Sequence, residues 1–247
     1  MISIIIPTYN QNELLNECID SIRKHTKDYE IIIVDNNSAP VYDAEHLADV
    51  KLTLIRNEEN KGFPKAINQG VDVASGDIIV LLNNDCIVTP YWSERLLNGL
   101  NTFDVVGPLT NYCSGIQRVL TPVYNNEDEL DKVATEWTSL CIGKTHETDY
   151  IIGFCMMFKK SLFYNLDRFD ESLWPCSGEE IDFCLKAKLN GHKVGVCCDV
   201  YIHHHGSQTF QWMQEQGMLN YRNVCERNKK YLNDKWQDKF PVEEVAV

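Results

Sequence analysis

Four clusters of hydrogen-bonding residues follow apolar, β-branched runs early in the chain: Pro7-Thr8-Tyr9-Asn10, Asp35-Asn36-Asn37, Asn57 to Gly62, and Asn83-Asn84-Asp85. Such groups suit a base, a ribose and a diphosphate. Tyr9 could stack on or edge a nucleobase, and Asp35 could accept from a base N–H or a ribose hydroxyl. Asn and Asp are also ordinary turn formers after strands, so the argument rests on four clusters at one sheet edge. Asp85, a lone carboxylate after the apolar run Ile78 to Leu82, is a hard oxygen ligand suited to Mg²⁺ or Mn²⁺. His203-His204-His205 supplies imidazoles, which suit Mn²⁺ beside oxygen ligands, although a triple His can equally be a solvated strand end. Glu179, Glu180 and Asp182 crowd the start of a helical stretch after Gly178. The helix dipole alone favours acids there, but a carboxylate can also take a proton from an attacking hydroxyl.

Composition narrows the choice of ligand. The 247 residues are 44% apolar, enough for a full core, and carry a net charge of −13. That charge excludes a nucleic-acid backbone as partner. Any anionic ligand would need local compensation from a metal ion or from backbone N–H groups. The ten cysteines are scattered through apolar segments with no Cys-x-x-Cys pair, the pattern of reduced core thiols in a reducing compartment. Met1 to Pro7 is too short for a signal-peptide core, and no run nears the roughly 20 apolar residues that span a bilayer. The expectation is a cytoplasmic protein, or one peripheral at the inner face of the membrane.

The elements that must position these groups alternate regularly in the first half. Ser3 to Ile6, Glu30 to Val34, Lys51 to Ile55 and Ile78 to Leu82 read as strands. Asn10 and Glu13 have capping-box spacing before a helix with Leu14, Leu15, Cys18, Ile19 and Ile22 on one face. Gly62-Phe63-Pro64 opens a second helix. The second half predicts strands at Val105 to Gly107, Tyr150 to Lys159 and Lys193 to Ile202, and helices near 127–137 and at Glu179 to Leu189. Beyond Phe210, apolar residues among charges suggest one or two amphipathic helices. The fold class expected is α/β, a mostly parallel central sheet flanked by helices with a C-terminal helical extension. Ligands then bind beyond the carboxyl ends of the strands. One domain is expected over 1–247: a nucleotide-binding half (1–86), an acceptor and catalytic half (87–209) and the extension (210–247).

Together these residues resemble the family 2 glycosyltransferases, which have the GT-A fold, over nearly all of the chain to about residue 210. The motifs are Ser3 to Asn10 (SIIIPTYN), Ile33 to Ser38 (IVDNNS), Asn60 to Gly70 (NKGFPKAINQG), Gly76 to Asp85 (GDIIVLLNND), Gly178 to Asp182 (GEEID) and His204 to Thr209 (HHGSQT). Six in this order are specific where any one is weak, and the branch is similar to bacterial rhamnosyl-, cell-surface and protein-modifying transferases. The resemblance puts nucleotide-sugar contacts on Pro7, Thr8, Tyr9, Asp35, Asn60, Gly62, Asn68, Asn83, Asn84 and Asp85. Its Asp-x-Asp metal motif is represented by Asn83-Asn84-Asp85, so only Asp85 keeps a carboxylate. His204 matches the family's C-terminal metal ligand, with His203 as the fallback. The family's Glu-Asp pair, which contains the base, matches Glu179-Glu180, with Asp182 beside it.

The implied reaction is an inverting transfer from a UDP- or dTDP-sugar, with Mn²⁺ or Mg²⁺, to a hydroxyl of a glycan, a lipid-linked sugar or a protein. Two alternatives have the same sheet: a silent nucleotide-sugar-binding or scaffold protein, and a sugar-phosphate nucleotidyltransferase. The latter class carries a Gly-rich basic loop where this chain has Pro7-Thr8-Tyr9-Asn10. The C-terminal stretch could pack on the domain, join two chains as a homodimer, or lie on a membrane, which its mixed charges make the weakest option.

Overall fold

The computed structural model describes residues 1–120, 123–236 and 239. Strands β1 (Ile2–Thr8), β2 (Tyr29–Asp35), β3 (Leu52–Arg56) and β4 (Ile78–Leu82) are linked by helices α1 (Asn12–His25), between β1 and β2, and α2 (Phe63–Val73), between β3 and β4. All their pairings are parallel, in the order β3-β2-β1-β4. Side chains alternate cleanly along them. Ile5, Ile32, Val34, Ile79 and Leu81 face α2 on one side, whereas Ile4, Ile6, Ile31, Ile33, Val80 and Leu82 face α1 on the other. Apolar residues on both faces of the pleat are what a parallel sheet covered by helices requires.

Beyond β4 the sheet becomes mixed. The remaining elements are β5 (Cys86–Val88), α3 (Trp92–Gly99), β6 (Val105–Thr110), α4 (Glu127–Ser139), β7 (Thr145–Thr148), β8 (Cys155–Lys159), α5 (Lys160–Asn165), α6 (Glu179–Leu189), β9 (Val194–His204), α7 (Gln208–Glu215) and α8 (Tyr221–Trp236). The order continues β4-β8-β6-β9-β5, with β7 also on β9. Strand β8 runs antiparallel to β4 and β6, while β6 and β9 are parallel. The long β9 carries β7 along its first residues and β5 along its last, so Cys86 pairs with His204. This register carries the segment after β4 to the end of β9.

Two differences from the sequence expectation have local causes. The capping box at Asn10 does not form. Asn10 is left-handed (φ 57°), and its side chain accepts from the Ala39 N–H, so it ties down the loop after β2. The strand expected over 150–159 is a strand only from Cys155. Ile152, Gly153 and Phe154 instead line a cavity, and a Cβ on Gly153 would sit 3.2 Å from that of Glu180. The described part of the C-terminal extension packs on its own chain. Leu232 and Trp236 of α8 join Leu173, Ile181 and Leu185, and Asn228 donates to the carbonyls of Leu173, Cys176 and Ser177. The rest of 210–247, residues 237, 238 and 240–247, lies outside the described residues. No helix among the described residues is long and apolar enough to cross a membrane.

Candidate active site

A cavity of about 540 Å³ opens at the carboxyl ends of β1 and β4, where the sheet changes from parallel to mixed. One side is lined by Pro7, Thr8, Tyr9, Asn36, Asn60, Gly62, Asn83, Asn84 and Asp85, and another by Glu179 and Glu180. The parallel strands bring the first set together because they end in register, Pro7 opposite Val34 and Thr8 opposite Asp35. Asn84 donates to the Thr8 hydroxyl at 3.0 Å. Gly62 has φ 81°, and a Cβ there would fall 2.6 Å from the Trp174 ring, so the loop needs glycine. Trp174 therefore packs behind Gly62.

Asp85 and His204 meet across the paired ends of β5 and β9. Asp85 Oδ1 lies 3.1 Å from His204 Nε2, and neither atom has a properly aligned hydrogen bond. Asp85 Oδ2 accepts from the Gln208 N–H in the first turn of α7 at 3.3 Å. His204 Nδ1 faces the Tyr112 carbonyl at 2.8 Å; since a carbonyl only accepts, Nδ1 carries a hydrogen and a neutral ring aims its Nε2 lone pair at the carboxylate. Such a pair is held either by a proton on Nε2, which makes it a salt bridge, or by a metal ion that both atoms ligate. Burial alone opposes both charges, yet His204 holds the Asp85 carboxyl below its ordinary range, and Asp85 holds the imidazole above its own. An acid, an imidazole and an outer carbonyl fixing the ring form a donor set that fits Mn²⁺ or Mg²⁺. Cys86 is also close, but burial pushes its thiol far up and its Sγ points at the Phe154 carbonyl, so it is a poor ligand for a hard ion.

Glu179 and Glu180 begin α6 after Gly178, which is left-handed (φ 94°). Burial pushes both carboxyls up, and for Glu179 the neighbouring Glu180 adds to it. Their support differs. Glu180 Oε2 accepts from the Gly178 N–H at 3.2 Å, and N–H groups of Gly153 and Ile181 also favour its charge. Glu179 Oε2 has no hydrogen-bond partner.

Four candidates named from the sequence do not line this cavity. Asp182 points from α6 to α8, accepting from the Trp236 Nε1–H at 3.0 Å and pairing with Lys186 and Lys235. Asp182 is two positions past Glu180, about 200° around the helix, so the two point to opposite sides. His203 alternates to the other side of β9, hydrogen-bonded to the Tyr124 hydroxyl. Asp35 is fully buried and binds Arg56 and the Ser38 N–H and hydroxyl. Asn68 is spent on the backbone of Phe169 and on Glu171. Conversely, Tyr112, Arg118, Gln208, Phe210, Met213 and Tyr221 line the cavity without having been singled out. They come from loops and from the C-terminal helices, where side-chain periodicity gives no cue.

Residues 3–166 match the family model described as glycosyl transferase family 2. The chain belongs to this family. It is similar to glycosyltransferase GlyG of Streptococcus pneumoniae serotype 4, 33% identical over 120 residues, 45% of this chain and 40% of that protein. In structure it is similar to S. aureus TarS 1–349 in complex with UDP-GlcNAc (TM-score 0.59, 19% identity, 83% of this chain and 58% of that one). It is also similar to the mannosyltransferase PcManGT from Pyrobaculum calidifontis in complex with GDP-Man and Mn²⁺ (TM-score 0.55, 21% identity, 82% and 56%). These likenesses show the GT-A fold, and the chain spans about half the length, or less, of the curated relatives it matches.

Proposed function

We propose that this family 2 member is a metal-dependent, inverting glycosyltransferase that moves a sugar from a UDP- or dTDP-sugar to an acceptor hydroxyl on a glycan, a lipid-linked sugar or a protein. The observation that carries the reading is the Asp85–His204 pair, with its unsatisfied facing atoms, on the same cavity as Glu179 and Glu180. Support comes from TarS, bound to UDP-GlcNAc, and PcManGT, bound to GDP-Man and Mn²⁺.

The donor would lie along Pro7, Thr8, Tyr9, Asn36, Asn60, Gly62, Asn83 and Asn84, whose polar groups are uncharged. Asp35 and Asn68 would shape this wall from behind, and Asp182 would anchor α8. Asp85 Oδ1 and His204 Nε2 would hold Mn²⁺ or Mg²⁺, which when bound supplies charge neutralisation for the departing diphosphate. Backbone N–H groups of Gly178, Gly153 and Ile181 favour the charged form of Glu180, while Glu179 is pushed up by burial and by the Glu180 charge, so Glu180 is the first of the two to ionise. Glu180 then takes the acceptor's hydroxyl proton. The acceptor oxygen bonds to the anomeric carbon as the bond to the diphosphate oxygen breaks on the opposite face, which inverts the centre.

The test is a panel of UDP-, dTDP- and GDP-sugars assayed for hydrolysis with Mn²⁺ or Mg²⁺, beside calorimetry with the free nucleotides. Metal-dependent release of UDP or dTDP is expected. Nucleotide binding with no turnover of any donor would favour the silent binding protein, and formation of a nucleotide-sugar from a sugar phosphate would favour the nucleotidyltransferase.

A further inference from the structure

One wall of the cavity comes from α7 and α8, outside the residues 3–166 that match the family model. Phe210 and Tyr221 are stacked there, with ring centroids 5.4 Å apart and planes 18° from parallel. Both line the cavity, as does Met213. Tyr221 belongs to the catalytic end. Burial pushes its phenol up, the Cys225 and Cys176 thiols add to this, and so does the Glu180 carboxylate. Asn228 of α8 donates to the carbonyls of Cys176 and Ser177, which fixes this helix against Gly178 at the start of α6. The α7 segment is held by the Gln208 N–H on Asp85 and by Trp212, which meets the Tyr9 ring edge-on at 5.8 Å.

This wall and Glu180 line the same cavity, so an acceptor that delivers a hydroxyl to Glu180 can rest on it. A stacked aromatic pair beside a carboxylate suits a molecule with an apolar face and a hydroxyl rim, which is a sugar ring: its C–H face packs on the aromatic surface while its edge hydrogen-bonds. A serine or threonine side chain has no such face. A phosphate-bearing group would meet two acids here, and Arg118 is the only Lys or Arg among the lining residues. Resting on the donor reading above, we propose that Phe210 and Tyr221 form an acceptor subsite and that the acceptor group bound there is a sugar ring, its C–H face on this pair and its nucleophilic hydroxyl at Glu180.

Saturation-transfer NMR on the chain loaded with UDP and Mg²⁺ tests this, with methyl glycosides of common hexoses and a Ser/Thr-containing peptide as probes. At least one glycoside should receive saturation through its ring C–H protons. Phe210→Ala and Tyr221→Leu should weaken that contact about tenfold, while Tyr221→Phe retains it. The UDP Kd should stay within about twofold throughout, which also reports that the variants are folded. No glycoside contact in a wild-type chain that binds UDP, unchanged contact in both ring-deleting variants, or contact with the peptide alone would overturn the proposal. A wild-type chain that fails to bind UDP would instead overturn the donor reading beneath it.

Discussion

Asp85 and the Glu179–Glu180 pair are acids on one cavity with nearly equal exposure, 4%, 5% and 8%, yet their surroundings pull them in opposite directions. Asp85 faces an imidazole and the first N–H of α7, and its carboxyl is held low. The glutamates have no cation beside them among the described residues, and burial pushes their carboxyls up, Glu179 further by the Glu180 charge. Burial sets the stakes in both places, and the neighbour decides the sign. One arrangement keeps a permanent anion able to hold a cation. The other keeps a carboxylate basic enough to take a proton.

The sharpest way to break this contrast is Glu180→Gln, which keeps the shape and removes the base. Turnover should fall about 10²–10⁴-fold with UDP affinity unchanged. In the wild type the acidic limb of the rate profile should lie above the ordinary carboxylate range, because a raised carboxyl ionises late. Normal turnover by the variant would move the base to Glu179.

Glu30 extends the contrast to a buried acid far from the cavity. Burial alone would raise its carboxyl, but the Ser3 and Ser75 hydroxyls, the Ser75 N–H and Lys51 hold it down to about 2, from 4.5. A depressed folded value contributes stability that is present above the unfolded value and lost as pH falls toward the folded one. Acid unfolding should therefore show about 3 kcal/mol lost between roughly pH 4.5 and 2. Glu30→Gln should flatten that segment in denaturant melts followed against pH.

Asp182, unlike the glutamate pair, has lysines beside its carboxylate. Asp182→Asn keeps an acceptor for Trp236 Nε1–H but loses the charge facing Lys186 and Lys235. It should cost about 2 kcal/mol in urea melts without changing UDP affinity. A large loss of transfer with stability intact would return Asp182 to the catalytic set. The smallest effect is expected at Glu179. Its carboxyl is pushed up, so it opposes folding as pH rises past the ordinary carboxylate range; Glu179→Gln should stabilise the chain at neutral pH by about 1 kcal/mol and leave the acidic limb set by Glu180 in place.

The first half was legible in the sequence because a parallel sheet writes its core as continuous apolar runs and its site as the polar residues that follow them. Ile78 to Leu82 and Asn83 to Asp85 show both in eight residues. The acidic stretch at Gly178 was legible as a helix start, but not which acid faces the cavity, since α6 is buried nearly all round and has no clean polar face. The motif favours His204 over His203, and the register with β5 gives the physical reason, since it turns His204 toward Asp85 and His203 to the other side of β9. Phe210 and Tyr221 gave no signal, because an apolar residue on an amphipathic helix reads the same over a core as over a cavity.

The most direct measurement is calorimetric titration of UDP with and without Mn²⁺ on the wild type, Asp85→Ala and Glu180→Gln side by side. The division of labour predicts that Mn²⁺ strengthens UDP binding in the wild type and in Glu180→Gln, and that Asp85→Ala loses this dependence while still folding. Equal Mn²⁺ dependence in Asp85→Ala, or its loss in Glu180→Gln, would contradict it.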